Sequence, residues 1–92
     1  MIGISLAQNT KVHHVKIEGM KFTPQTLTVN LNDTVIWNNK DFFPHTVTSE
    51  DKSFNSMGIP VNGTWQLILK KKGTYNYKCM FHTVMKGSLI IK

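Results

Sequence analysis

Near its end the chain carries Cys79, His82 and Met85 in the stretch KCMFHTVMK, each three positions from the next. Scattered singly, such residues are packing material: a free thiol behaves as a small hydrophobe, and a thioether fills irregular gaps in a core. At this regular spacing they can serve as donors instead. A tight turn can aim residues three apart at one centre. Thiolate, imidazole and thioether are soft or borderline ligands, a set that favours copper over the hard, oxygen-seeking ions. Zinc ordinarily takes four Cys, His or carboxylate donors and rarely a methionine. The turn lacks a second imidazole, and the best candidate is His45 in KDFFPHTVT, where Pro44 restrains the approach.

Donors from two distant parts of the chain need a frame. From Val12 onward the sequence reads as short strands separated by turn residues, without a 3.6-residue period, a repeat or a low-complexity linker. VHHVKIE (12–18) places His13, Val15 and Ile17 on one face, and TLTVNL (26–31) alternates Leu27, Val29 and Leu31. Asn32 and Asp33 turn the chain into TVIWNN. A strand over HTVTS (45–49) would start at His45 and lie beside the strand that ends at Cys79. TWQLIL aligns Trp65, Leu67 and Leu69; GTYNYKC aligns Tyr75, Tyr77 and Cys79; GSLIIK closes the chain. Residues 50–62 lack alternation and read as a long connection. About seven or eight strands of this length predict an all-β sandwich. Two histidines and a cysteine in a plane, with a weak axial methionine, make the ligand set of a blue-copper electron-transfer site.

Composition narrows the alternatives. The 92 residues, 40% apolar, suit a single domain with one core. A lone cysteine excludes an internal disulfide. The 11 cations against five acids give a formal charge of +6, and every cation is lysine. Such a charge suits nucleic acid, an acidic membrane surface or an acidic protein partner; arginine supplies the fork that reads guanine edges and grips phosphates, so its absence argues against the first, and an acidic redox partner is a reasonable reading. Lys70, Lys71 and Lys72 read as a solvated turn. No stretch approaches the roughly 20 apolar residues needed to span a bilayer, which argues against stable membrane insertion. Residues 1–7 end in Ser5-Leu6-Ala7, the small-x-small form of a signal-peptidase site, so they read as the tail of an export signal or a loose N-terminus, with the domain over 8–92. An ordinary N-terminal strand is the alternative.

The order PHTVT, then GTYNYKC, then Cys-x2-His-x2-Met and a closing strand resembles the cupredoxins, and within them the amicyanin-like group with the shortest ligand loop. MKFTPQTLTVNLNDTVIWNN is similar to that group's second and third strands. The resemblance spans about residues 12–92. It implies a Greek-key sandwich and one type 1 copper held by His45, Cys79, His82 and Met85, with the carbonyl of Pro44 as a weak contact. It further implies a monomeric, exported or periplasmic electron carrier, not an enzyme, that meets redox partner proteins through an apolar patch around His82. One departure concerns the site: the asparagine that follows the first ligand histidine in amicyanin and plastocyanin, and ties the ligand loops together, is Thr46 here.

Other residues carry weaker signals. His13 and His14 are adjacent on a strand and face opposite ways, so they read as structural or solvated. Met20 and Met57 read as gap-fillers. Phe42, Phe43, Met80, Phe81 and Val84 flank the donors; a few are expected to pack inward and the rest to form the patch. Three other readings compete. A copper carrier or buffer would use the same ligands without passing electrons. A cysteine enzyme would pair Cys79 with His82 but lacks an oxyanion-hole motif. An immunoglobulin-like sandwich would use Tyr77 as its corner but lacks the partner cysteine.

Overall fold

Period-two alternation in the sequence becomes two packed sheets in the computed structural model, which describes residues 10–92. Residues 1–7, the proposed export-signal tail, lie outside the described part. The strands are β1 (Val12–Ile17), β2 (Phe22–Thr23), β3 (Thr26–Val29), β4 (Thr34–Asn39), β5 (Thr48–Ser49), β6 (Thr64–Ile68), β7 (Gly73–Lys78) and β8 (Lys86–Ile91). One sheet has the order β2-β1-β4-β6 and the other β3-β8-β7-β5. β1 pairs with β4 in parallel, as does β3 with β8, while the remaining pairs are antiparallel. Each parallel pair forces a crossover between sheets, which is what closes a sandwich of this kind.

The inward faces are those the alternation marks. Val15, Ile17, Val35 and Trp37 come from the first sheet, and Val29, Tyr75, Tyr77, Leu89 and Ile91 from the second. Trp37 and Tyr77 join them: the rings meet edge-on at 5.6 Å, and the indole Nε1–H donates to the phenolic oxygen at 3.3 Å. Burial pushes the Tyr77 hydroxyl up to about 12, so it stays a neutral partner for the indole. Phe22 packs edge-on against the same tyrosine at 4.8 Å. Directly across the β7–β8 ladder from Tyr77 is Gly87, where a Cβ would overlap the tyrosine ring and hydroxyl. This glycine lets the ring pack closely against β8. It thereby fixes the register of the two strands that carry the Cys79 to Met85 turn.

The strand expected over 45–49 shortens to Thr48–Ser49. Its earlier amides are taken elsewhere: His45 N–H by the carbonyl of Ile59, Thr46 N–H by the sulfur of Cys79, and Val47 N–H by Ser56 Oγ. The 50–62 connection is a long loop as expected, folded back on this segment through bridges His45–Ile59 and Thr48–Asn55, with Phe54 and Ile59 buried. β2 was not foreseen as a separate element, since two residues are too short to show a period. No described helix is long and apolar enough to cross a membrane.

Candidate metal centre

Cys79 follows the last residue of β7 and continues the inward face of Tyr75 and Tyr77, so its sulfur is fully buried. The turn after it is closed by two backbone bonds, Cys79 N–H to the carbonyl of Met85 at 3.1 Å and Met85 N–H to the carbonyl of His82 at 2.9 Å. They hold the Cys-x2-His-x2-Met segment as a single loop. Met85 is buried at its end, where β8 begins.

The second contribution arrives from the 39–46 segment. Asn39 ends β4 fully buried, and its side chain brackets this loop: Nδ2 donates to the carbonyls of Phe43 at 2.9 Å and Ile59 at 3.0 Å, while Oδ1 accepts from the Asp41 amide at 3.0 Å. The loop so held brings His45, also fully buried, over Cys79, with Nδ1 3.6 Å from the sulfur. Its other nitrogen, Nε2, lies 2.8 Å from Asp41 Oδ2. A carboxylate can only accept, so Nε2 carries the proton and Nδ1 turns a lone pair toward the sulfur.

His45, Cys79 and His82 each offer one donor atom, all within 4.8 Å of one another. The imidazole rings of His45 and His82 are 5.3 Å apart. His82 Nδ1 is buried and has no hydrogen-bond partner, the one such side-chain nitrogen or oxygen among the described residues. A buried nitrogen without a partner is costly unless something binds it. The thiol of Cys79 and a nitrogen of His45 lie within 4.8 Å of it, a donor set whose chemistry fits a soft cation.

Thr46 answers the departure noted in the sequence. Its amide donates to Cys79 Sγ at 3.3 Å, and its hydroxyl accepts from Met80 N–H at 2.8 Å. The two loops are therefore tied together through a threonine. Pro44 lies beside His45 on the exposed rim.

Asp41 and Asn39 are the participants that sequence reasoning missed; an acid four residues before the histidine in NKDFFPH was the available signal. Asp41 is buried, and burial raises its carboxyl, but hydrogen bonds from His45 and from the amides of Met20 and Phe42 outweigh this and hold it below the ordinary carboxylate range.

The rim departs from expectation in one respect. Phe42, Phe43, Met80, Phe81 and Val84 are all exposed, Phe42 and Val84 to 87%, so none packs inward. Phe43 stands 6.4 Å from the ring of His82. Met57 and Met20 are exposed too and fill no core gap. His13 and His14 stay apart from the centre: His13 pairs with Asp33 at 2.9 Å, and His14 meets Asn38 at 3.1 Å. Beside the Cys79 turn, Lys78 and Lys86 sit directly opposite each other across β7 and β8, and with Lys52 and the single acid Glu50 they line a groove of about 680 Å³ next to Met80. Like charges so placed repel.

Comparison with known proteins agrees with this geometry. A family described as "Cupredoxin-like domain" matches residues 2–91. The chain is 29% identical over 83 residues to amicyanin-alpha of Methylorubrum extorquens, covering 85% of this chain and 70% of that protein. Against the amicyanin of Paracoccus versutus it covers 63% of the relative's length at 26% identity. Among solved structures, a purple cupredoxin from Nitrosopumilus maritimus superposes with a TM-score of 0.83 at 24% identity, covering 87% of this chain and 99% of that one. A Cu(I) mutant of amicyanin gives 0.83 at 26% identity, with 88% and 82% covered. The family match over nearly the whole length, on a two-sheet sandwich with a His-Cys-His cluster at one end, places this chain in the cupredoxin family.

Proposed function

We propose that this chain is a small blue-copper electron-transfer protein, with His45, Cys79, His82 and Met85 holding one copper ion and the carbonyl of Pro44 making a weak further contact. The observation that carries the reading is the convergence of two imidazoles and a buried thiol within 4.8 Å, one imidazole nitrogen being buried and unpartnered. Copper bound there supplies a one-electron Cu(II)/Cu(I) couple, and thiolate with imidazole suits both states. The amicyanin structure named for its Cu(I) state is consistent with this metal.

The protein's part is to hold the donors still. Thr46 ties the loops, Asn39 brackets one of them, and the register of β7 on β8 sets the other. Donors that do not move on reduction keep the reorganisation cost low. His82 is the ligand side chain open to solvent, whereas His45, Cys79 and Met85 are buried, so the edge of His82 is the route for the electron. The apolar rim around it excludes water and offers a docking face for redox partners. The lysine-lined groove beside it favours acidic partners, with association faster at low salt. The protein acts as a monomer, and Ser5-Leu6-Ala7 supports a periplasmic or otherwise exported setting.

The test is to add Cu(II) to apoprotein. One equivalent is expected to give an intense blue or violet absorption that disappears in Cys79→Ala, together with electron self-exchange measurable by NMR line broadening. A colourless cupric protein would overturn the reading; a coloured one that hands copper to an acceptor while exchanging no electrons would make it a copper carrier instead.

A further inference from the structure

We infer that Asp41 is a positioning residue of this centre, its buried carboxylate fixing the tautomer of His45 and biasing the site toward the more highly charged metal state. The inference rests on the copper reading above.

Asp41 is itself anchored. Its Oδ2 accepts from His45 Nε2 at 2.8 Å and from the Met20 amide at 3.1 Å, and its own amide donates to Asn39 Oδ1 at 3.0 Å. Both bonds to Oδ2 could be accepted equally by a neutral amide oxygen, as in asparagine. Asparagine would keep those two bonds and lose the charge, so the charge can be separated from the hydrogen bonding. Burying a carboxylate is unfavourable unless a cation compensates it. Among the described residues, the single ion-pair partner of Asp41 is His45. No lysine neutralises it. A cation held at Nδ1, on the far side of the imidazole, would interact with this charge through the ring. Carboxylate–histidine–metal chains of this type raise ligand basicity and fix the ring plane. In a buried setting the charge is poorly screened, and it stabilises Cu(II) more than Cu(I).

Asp41→Asn separates the two roles, because the amide oxygen still accepts from Nε2–H while the charge is gone. The variant is expected to remain blue, with the ratio of Cu(II) to Cu(I) binding constants falling about tenfold or more, read as a rise in reduction potential of about 59 mV or more for a one-electron couple. Asp41→Ala, which also frees the ring, is expected to lose a further 10- to 100-fold or so in Cu(II) affinity and to broaden the EPR signature.

A readout on the unmodified protein guards against a variant that fails to fold. In Cu(I) holoprotein, the His45 Nε2 proton is expected as a slowly exchanging, strongly downfield NMR resonance. A blue Asp41→Asn protein with an unshifted potential, or a His45 Nε2 proton that exchanges as freely as in a solvated imidazole, overturns the role of Asp41 while leaving the copper reading intact. A wild-type protein that stays colourless with Cu(II) sinks both.

Discussion

The amide of Thr46 points at the sulfur of Cys79 from 3.3 Å, while the hydroxyl of the same threonine receives the amide of Met80, the next residue in the cysteine's loop. One residue thus donates to a donor atom and accepts from the loop that carries it. Charge-assisted bonds to a thiolate draw electron density from sulfur, and the reciprocal bond keeps the two loops in step.

Thr46→Val separates these contributions. The backbone bond to sulfur persists, whereas Met80 N–H loses its acceptor. Urea unfolding of apoprotein is expected to show a loss of about 1–2 kcal/mol, with the visible spectrum of the copper form little changed. Equal midpoints for the two proteins would mean that the hydroxyl tie is idle.

Asn39→Ala removes the bracket under the His45 loop. The carbonyls of Phe43 and Ile59 and the amide of Asp41 lose a buried partner together. The expected cost is about 2–4 kcal/mol in chemical unfolding, accompanied by weaker copper binding, because the loop that presents His45 loosens. A variant that unfolds like wild type would show that water replaces the amide without loss.

Acid stability should be governed in part by Asp33, far from the metal. Its carboxylate accepts from His13 and from the amides of Lys11 and Asn30. The bond from His13 first, then that from Lys11, hold the carboxyl below its usual value of 3.8 against the opposing effect of burial. A group depressed on folding contributes stability that is complete above its unfolded pKa and is lost as pH falls through the lower folded value. Apoprotein is therefore expected to lose stability below about pH 4. Asp33→Asn should flatten that part of the profile and lower the plateau at neutral pH. Parallel pH profiles for the two proteins would remove Asp33 from the account.

Exposed residues at the rim should alter exchange without altering the centre. Val84→Glu places a charge in the apolar face, and self-exchange is expected to slow about tenfold or more while the absorption spectrum and stability hold. Lys78→Gln with Lys86→Gln should instead slow reaction with an anionic inorganic oxidant, spare a cationic one, and reduce the salt dependence of the first. Indifference of both oxidants to the double change would dismiss the lysine groove as a recognition element.

Much of this was legible in the sequence, for identifiable reasons. Strands with one buried face announce themselves by alternation, which is why Val15, Ile17, Tyr75, Tyr77 and Cys79 fall where the pattern puts them. The three-residue spacing of Cys79, His82 and Met85 is a local fact and needs no tertiary information. His45 was reachable because soft metal sites want a second imidazole. What stayed hidden depends on where amides find partners. The 45–49 strand is curtailed because Cys79, Ser56 and Ile59 claim its N–H groups, and none of these is near in sequence. Asn39 at the end of β4 and Asp41 just beyond it look like ordinary polar residues until the loop closes over them. The outward turn of all five rim residues was equally invisible, since a hydrophobic side chain in an irregular segment has no period to reveal its direction.

The place of β8 makes one strand answerable for both a sheet and a turn. It inserts between β3 and β7; among the described strands β3 has no other neighbour, and β7 is otherwise left with the two residues of β5. Without β8 that sheet loses the strand that joins β3 to β7, and the Cys79 turn has only one anchored end. A chain cut ahead of β8 is therefore expected to lose the cradle for a cation along with the sheet.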